Sequence, residues 1–212
     1  MMLSPARQSQ APAFGDDRRP MAATDRIIEA MRRSVAARGA AGATFDRVAR
    51  EAGVSRGLLH YHFGTKERLL AEVVRRDADI RMARLDRALA DAHSPDEVIA
   101  VLVHSLEDLV ARDPGFVALM FELFTSGRRN PEIAAEFAAL HHATRGRLGE
   151  LLAAKEDEGA LRLADEPEAV AAVLLSLADG LALRLLGEPE HDHRPALRAA
   201  TAAARALLSD SN

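Results

Sequence analysis

The chain of 212 residues is long enough for one large domain, or for a small domain joined to a larger one, and either can bury a full core. It holds no cysteine, no run of 18 apolar residues and no secretory-type leader; disulfides, thiolate zinc sites and thiol nucleophiles are excluded, and a soluble cytoplasmic protein with no membrane partner is expected. The net charge of -4 conceals a split, because residues 21 to 76 carry eleven Lys and Arg against six Asp and Glu, while residues 77 to 212 carry fourteen against twenty-four. Such a split suits a head that meets phosphates and a body that stays off them, although solvated charged faces alone also produce it.

In chain order, residues 1 to 20 place Pro5, Pro12 and Pro20 among Ser, Gln, Ala and Gly without any period, and disorder is expected there. Arg18 and Arg19 are candidates for a minor-groove arm, and Met21 is an alternative start to Met1. After Thr24, a suitable N-cap, Ile27, Ile28, Met31 and Val35 recur at helical spacing until Gly39 offers a left-handed stop. Thr44 is placed to cap a short second helix with Phe45, Val48, Ala49 and Ala52 on one face; Gly53 ends it and Ser55 caps a third. Val54 and Leu59 are spaced as a hydrophobic staple that sets the angle of this third helix. Thr65 opens a long fourth helix through Leu69, Val73, Ile80, Leu85 and Leu89.

Ser94-Pro95-Asp96-Glu97 is a capping box with proline at the first helical position, and it predicts a helix to about Ala111. Asp113-Pro114 starts another, Asn130-Pro131 a longer one to Gly159, and the spans Asp165 to Leu186 and Pro195 to Leu208 complete about nine. No segment alternates strictly between apolar and polar residues, so no sheet is expected. The expected class is all-α: a three-helix, helix-turn-helix head over residues 21 to 70 and a C-terminal helical bundle over residues 71 to 212.

Two short helices joined by a tight glycine turn form the unit that lays its second helix in a major groove. Phe45, Val48, Ala49, Val54, Leu59 and Phe63 are needed inside to hold the helices apart at a steep angle. On a helical wheel Gly57, Leu58 and Tyr61 point away from them, flanked by Arg56, His60 and His62. Arginine, histidine and tyrosine donate to phosphates or base edges, whereas a merely solvated helix carries mostly Glu and Lys.

The stretch Thr44 to Leu70, TFDRVAREAGVSRGLLHYHFGTKERLL, resembles the DNA-binding signature of the tetracycline-repressor (TetR) family. The resemblance lies in Val48-Ala49, Ala52-Gly53-Val54-Ser55, Gly57, Leu59, the aromatic cluster ending at Phe63, Lys66-Glu67 and Leu69-Leu70. It departs at His60, where the family has tyrosine, at Leu58, where a small polar residue is common, and at Ala40, which replaces a common aromatic. The resemblance implies a dimeric transcriptional regulator, in most cases a repressor released from a palindromic operator by a small molecule, with no cofactor. It implies that Thr44, Arg47, Tyr61, His62 and Lys66 approach the DNA backbone and that Ser55 belongs to the same DNA-binding set. Lys66 has the added help of a helix N-terminus. Arg56, Gly57, Leu58 and His60 are then best placed for bases, Arg56 reading guanine and Leu58 a thymine methyl, with phosphate contact the plainer role for each.

Beyond Arg76 the resemblance is one of helix layout. Val170, Val173, Leu174, Leu177, Leu181 and Leu185 form a wide apolar stripe in a helix expected to be too short and interrupted to cross a membrane. Ala196, Ala200, Ala203 and Leu207 give the last helix a small-residue face. The family pairs these two helices with their copies, which makes Val170, Leu174, Leu177, Leu181, Leu185 and that face a candidate dimer interface; an intramolecular core is the plainer reading. Phe116, Met120, Phe121, Phe124 and Phe137, with His104 and His141 for polar contacts, are candidates for lining an effector pocket for an apolar ligand, although the same spacing also describes plain core.

Two other readings stay open. A ligand-independent DNA-binding or chromosome-organising protein fits the same head. An all-helical enzyme would draw on His104, Glu136, His141 and His142, yet Glu-x-x-His spacing occurs only in the Pro/Glu-rich connection holding His191 and His193, and no nucleophile motif or phosphate loop is present, so no enzyme activity and no metal are expected.

Overall fold

The computed structural model describes residues 22 to 209; the expected N-terminal disorder, the Arg18-Arg19 arm and Met21 lie outside them. Nine helices form among the described residues: α1 (Ala23–Gly42), α2 (Phe45–Ala52), α3 (Arg56–Phe63), α4 (Lys66–Ala90), α5 (Pro95–Arg112), α6 (Pro114–Gly127), α7 (Pro131–Asp157), α8 (Pro167–Gly187) and α9 (Arg194–Leu208). One isolated bridge, Arg162 to Ser209, joins the loop before α8 to the end of α9.

Local chemistry sets most of the ends. Ser55, Thr65, Ser94 and Asn130 each accept a hydrogen bond from a first-turn N–H, at 3.0 to 3.4 Å. Glu97 completes the box before α5 by accepting from the N–H of His93, one residue earlier than the usual partner. Proline in the first turn of α5 through α9 lacks only a donor that no carbonyl awaits. Three expectations are corrected. Thr44 holds the N-cap position of α2 with the usual extended backbone, but its side chain makes no cap bond; α1 begins at Ala23 rather than after Thr24, and α8 begins at Pro167 rather than Asp165. Gly39, at φ 69, does interrupt α1, and Gly53, at φ 66, turns the chain out of α2 in a left-handed conformation that a side chain would strain.

The head is built on the first core. Ile27 and Met31 of α1, Val48 of α2, Leu59 of α3 and Leu69 and Leu70 of α4 are fully enclosed, and Leu119, Leu123 and Ile133 of α6 and α7 join the same cluster. Residue 70 therefore falls inside both α4 and a continuous core, so the head rests directly on the body. A second cluster, around Leu89, Val98, Leu148, Leu152, Ala171 and Leu208, holds the far end of the body.

Candidate nucleic-acid interface and ligand cavity

Leu59 anchors α3. Its burial stabilises the head by about 1.5–3 kcal/mol and fixes which face of the helix remains outside. That outer face carries Arg56, Gly57, His60, Tyr61 and His62, with Tyr61 83% exposed. A chain of contacts orders it. Arg56 Nη1 donates to both carboxylate oxygens of Asp46 at 3.1 and 3.3 Å, and Arg56 Nε lies 3.3 Å from His60 Nε2. His60 Nδ1 sits 3.1 Å from the carbonyl of Gly64; a carbonyl only accepts, so the ring proton belongs on Nδ1 and Nε2 is left to accept from Arg56. The His60 ring also meets Phe45 edge-on at 4.9 Å.

Other candidates are placed less simply. Leu58 is half-buried against the head core, so it is not wholly on the free face. Arg47 donates to the Gly42 carbonyl at 3.2 Å, and the Ser55 hydroxyl already accepts from Leu58 N–H. Lys66 stands half-buried in the first turn of α4, directly after exposed Thr65, and Thr44 is exposed at the start of α2. A Cβ at Gly57 would meet nothing closer than Ser55 Oγ at 3.9 Å, so no packing inside the protomer requires glycine there.

In the body, a cavity of about 240 Å³ opens among α4, α5, α6, α7 and α8. Phe116, Met120 and His141 line it as expected residues, whereas His104, Phe121, Phe124 and Phe137 do not. His104, Phe121 and Phe124 are exposed, and Phe137 packs on Phe124 and on the outer side of His141, at ring-centre distances of 5.7 and 4.4 Å. The physical reason is helical phase: at about 100° per residue, positions 116, 120 and 123 share one side of α6 and positions 121 and 124 turn away. Sequence reasoning missed Arg81, Leu85, Leu106, Leu175 and Asp179 in the lining. A signal existed. Leu69, Val73, Asp77, Arg81, Leu85 and Leu89 recur every four residues along α4, so Asp77 and Arg81 sit on its inward side, and the expected Ile80 is exposed instead.

Those two charges belong to a cluster that joins head to body. Asp113 Oδ2 accepts from Arg32 of α1 at 2.5 Å and from Arg81 of α4 at 2.6 Å, and Asp77 Oδ2 is 3.2 Å from Arg32 Nε. Burial pushes the Asp77 carboxyl up, with Arg32 opposing, and burial lowers the Arg81 guanidinium, with Asp113 and Asp77 opposing. Arg81 also lies over the Phe116 ring at 4.6 Å. In the same lining, burial pushes the Asp179 carboxyl up, with His141 opposing. Among the described residues no group of three or more His, Asp or Glu is placed to hold a metal ion.

The expected dimer stripe divides in two. Val170 and Leu174 lie within the protomer's own core, and Leu177, Leu181 and Ala200 line a second, apolar cavity of about 120 Å³ between α5, α8 and α9. The face of α8 that remains open carries Val173, Ser176, Gly180 and Leu183, with Val173 47% and Leu183 49% exposed. Ala196 and Ala203 of α9 are exposed too, while Leu185 and Leu207 are half-buried. By length and composition α8 is able to cross a membrane, with a mean hydropathy of 1.9 over its most apolar window, which corrects the expectation that it is too short and interrupted.

Comparison with known proteins agrees with this geometry. Residues 27–73 match the family described as bacterial regulatory proteins, tetR family, and residues 95–209 match the C-terminal region of BetI-type transcriptional repressors. The transcriptional repressor AcnR of Corynebacterium efficiens is 32% identical over 177 residues, covering 82% of this chain and 86% of that protein. The transcriptional regulator BetI of Agrobacterium fabrum is 32% identical over 108 residues, which span 50% of this chain and 52% of BetI. A TetR transcription regulator from Haloarcula marismortui shares the fold, with a TM-score of 0.70 and 22% identity over 88% of this chain and 98% of its own.

Proposed function

The chain belongs to the tetR family of helix-turn-helix transcriptional regulators, and on that premise we propose that it binds a near-palindromic operator as a homodimer and leaves it when a small molecule fills the body cavity. Regulators of this family bind DNA as dimers and take small-molecule effectors. The observation that carries the reading is the outer face of α3, where Arg56, His60, Tyr61 and His62 stand exposed on a helix anchored by fully buried Leu59. Arg56 is the residue for guanine, held at the right end of α3 by Asp46 and His60; Lys66, Arg47 and Tyr61 grip phosphates around it. The dimer closes through Val173, Gly180 and Leu183 of α8 and the alanine face of α9, an apolar surface that one protomer leaves uncovered. The protein then works in the cytoplasm, on the chromosome.

Mapping the chromosomal sites bound by the protein, followed by footprinting, tests this. Two half-sites related by a dyad are expected, with centres roughly 34–36 Å apart or a multiple of that. Binding without sequence preference, or to asymmetric single sites, removes the reading. Ligand action requires unequal affinity for two conformations, because equal affinity shifts nothing.

A further inference from the structure

The cavity in the body has a wall whose charge is incompletely met. Arg81 donates from Nη2 to Asp113, but its Nε is buried without a hydrogen-bond partner, and so is Nε2 of His141 in the same lining. Arg84, also in the lining, is exposed and makes no ion pair among the described residues. Two carboxylates line the cavity as well. Asp108 is engaged by Arg112 at 3.2 Å and lies 3.8 Å from His104, and Asp179 faces His141. A desolvated guanidinium with an idle donor gains from an added anion, and gains more where water is excluded. The net downward displacement of Arg81 has the same origin, since Asp113 and Asp77 do not offset its burial.

We propose that the cavity takes an amphipathic organic anion of roughly eight to twelve non-hydrogen atoms, with its carboxylate on Arg81 and its apolar body against Met120, Leu106 and Leu175. The assignment rests on reading this cavity as the effector site. It also supplies the coupling that reading needs. The oxygen of Asp113 that receives Arg81 receives Arg32 of the head, so a carboxylate drawing Arg81 away leaves Asp113 to Arg32 alone and alters the tie between α1, α4 and the start of α6. The ligand thereby discriminates between two arrangements of the head on the body.

Octanoate, octanol and octylammonium share one apolar body and differ in charge, and calorimetric titration of the full chain with each tests the assignment. Octanoate is expected to bind about tenfold tighter than the other two, and Arg81→Gln to abolish that preference while octanol still binds. A second measurement needs no variant: the carboxyl of ¹³C-labelled octanoate bound to the unaltered protein should titrate at lower pH than the free acid. Preference for octylammonium, an octanoate preference that survives Arg81→Gln, or a bound carboxyl that titrates higher than the free acid overturns the anion assignment and leaves the effector cavity standing. Failure of all three probes to bind overturns both.

Discussion

Of the eight residues of α3 only Leu59 is buried, and the helix displays arginine, histidine and tyrosine to solvent; α8 is aliphatic on almost every side, yet only 22% of its most apolar window is buried. Both helices are left open by the protomer, with opposite consequences. Polar groups on α3 are met by Asp46, by the Gly64 carbonyl and by solvent at the exposed face, so the head is complete without its partner. Apolar groups on α8 have no such substitute, and the protomer alone carries an unfavourable surface, which the proposed dimer would cover. On the proposed reading, DNA binding adds to a finished fold, whereas dimerisation is part of finishing it.

Breaking the apolar side of this contrast should have the largest effect. Val173→Glu with Leu183→Glu is expected to give a monomer by light scattering and to weaken operator binding by about 10²-fold or more, because the two heads lose their mutual effective concentration. A dimer that survives both substitutions means that the pair is joined elsewhere. The pair Leu177 and Leu181 gives a less direct readout, since both residues also line an apolar cavity of the protomer.

On the polar side, Arg56→Ala should cost about 1–3 kcal/mol at the operator and relax preference at one base pair per half-site. An equal loss on operator and random DNA makes Arg56 a phosphate anchor, and base reading moves to His60, Gly57 or Leu58. Lys66→Ala is expected to act more evenly: binding to every sequence weakens, and the salt slope falls by about 1 for each neutralised phosphate per head. Smallest in the free protein is Gly57→Ala. With open space beyond Cβ and alanine the better helix former, thermal stability should hold or rise by up to about 1 kcal/mol, while operator affinity is expected to fall because the added methyl stands between α3 and the groove. A drop in stability measured by thermal unfolding counts against a DNA-facing role for this glycine.

The head was legible because its signals are local. Gly53, the Ser55 cap and the Val54–Leu59 spacing act within a dozen residues, and each specifies geometry directly. Even there the chemistry of a cap does not guarantee its bond: Thr44 holds the N-cap position of α2, but its side chain makes no cap bond. The cavity was less legible because five helices contribute to it, and the phenylalanine cluster spreads around α6 and α7 instead of facing one side. In α8 the apolar pattern has no polar side to set its phase, so Val170 and Leu174 could not be told from Val173 and Leu183 until the neighbouring helices were in place. Asp77 and Arg81 went unnoticed for a related reason: charges on an inward stripe look like a break in the pattern until Arg32 and Asp113 are seen to meet them.

Leu85, Leu106 and Leu175 line both cavities of the body. They act as a party wall, with the proposed effector chamber on one side and a smaller apolar space toward α9 on the other. Shortening any one of them would knock the two rooms into one, while Arg81, the head and the open face of α8 stay as they are. On the proposed reading, single substitutions in this wall, far from the outer face of α3, would change the size of compound the chamber admits and leave the DNA-facing side chains as they are.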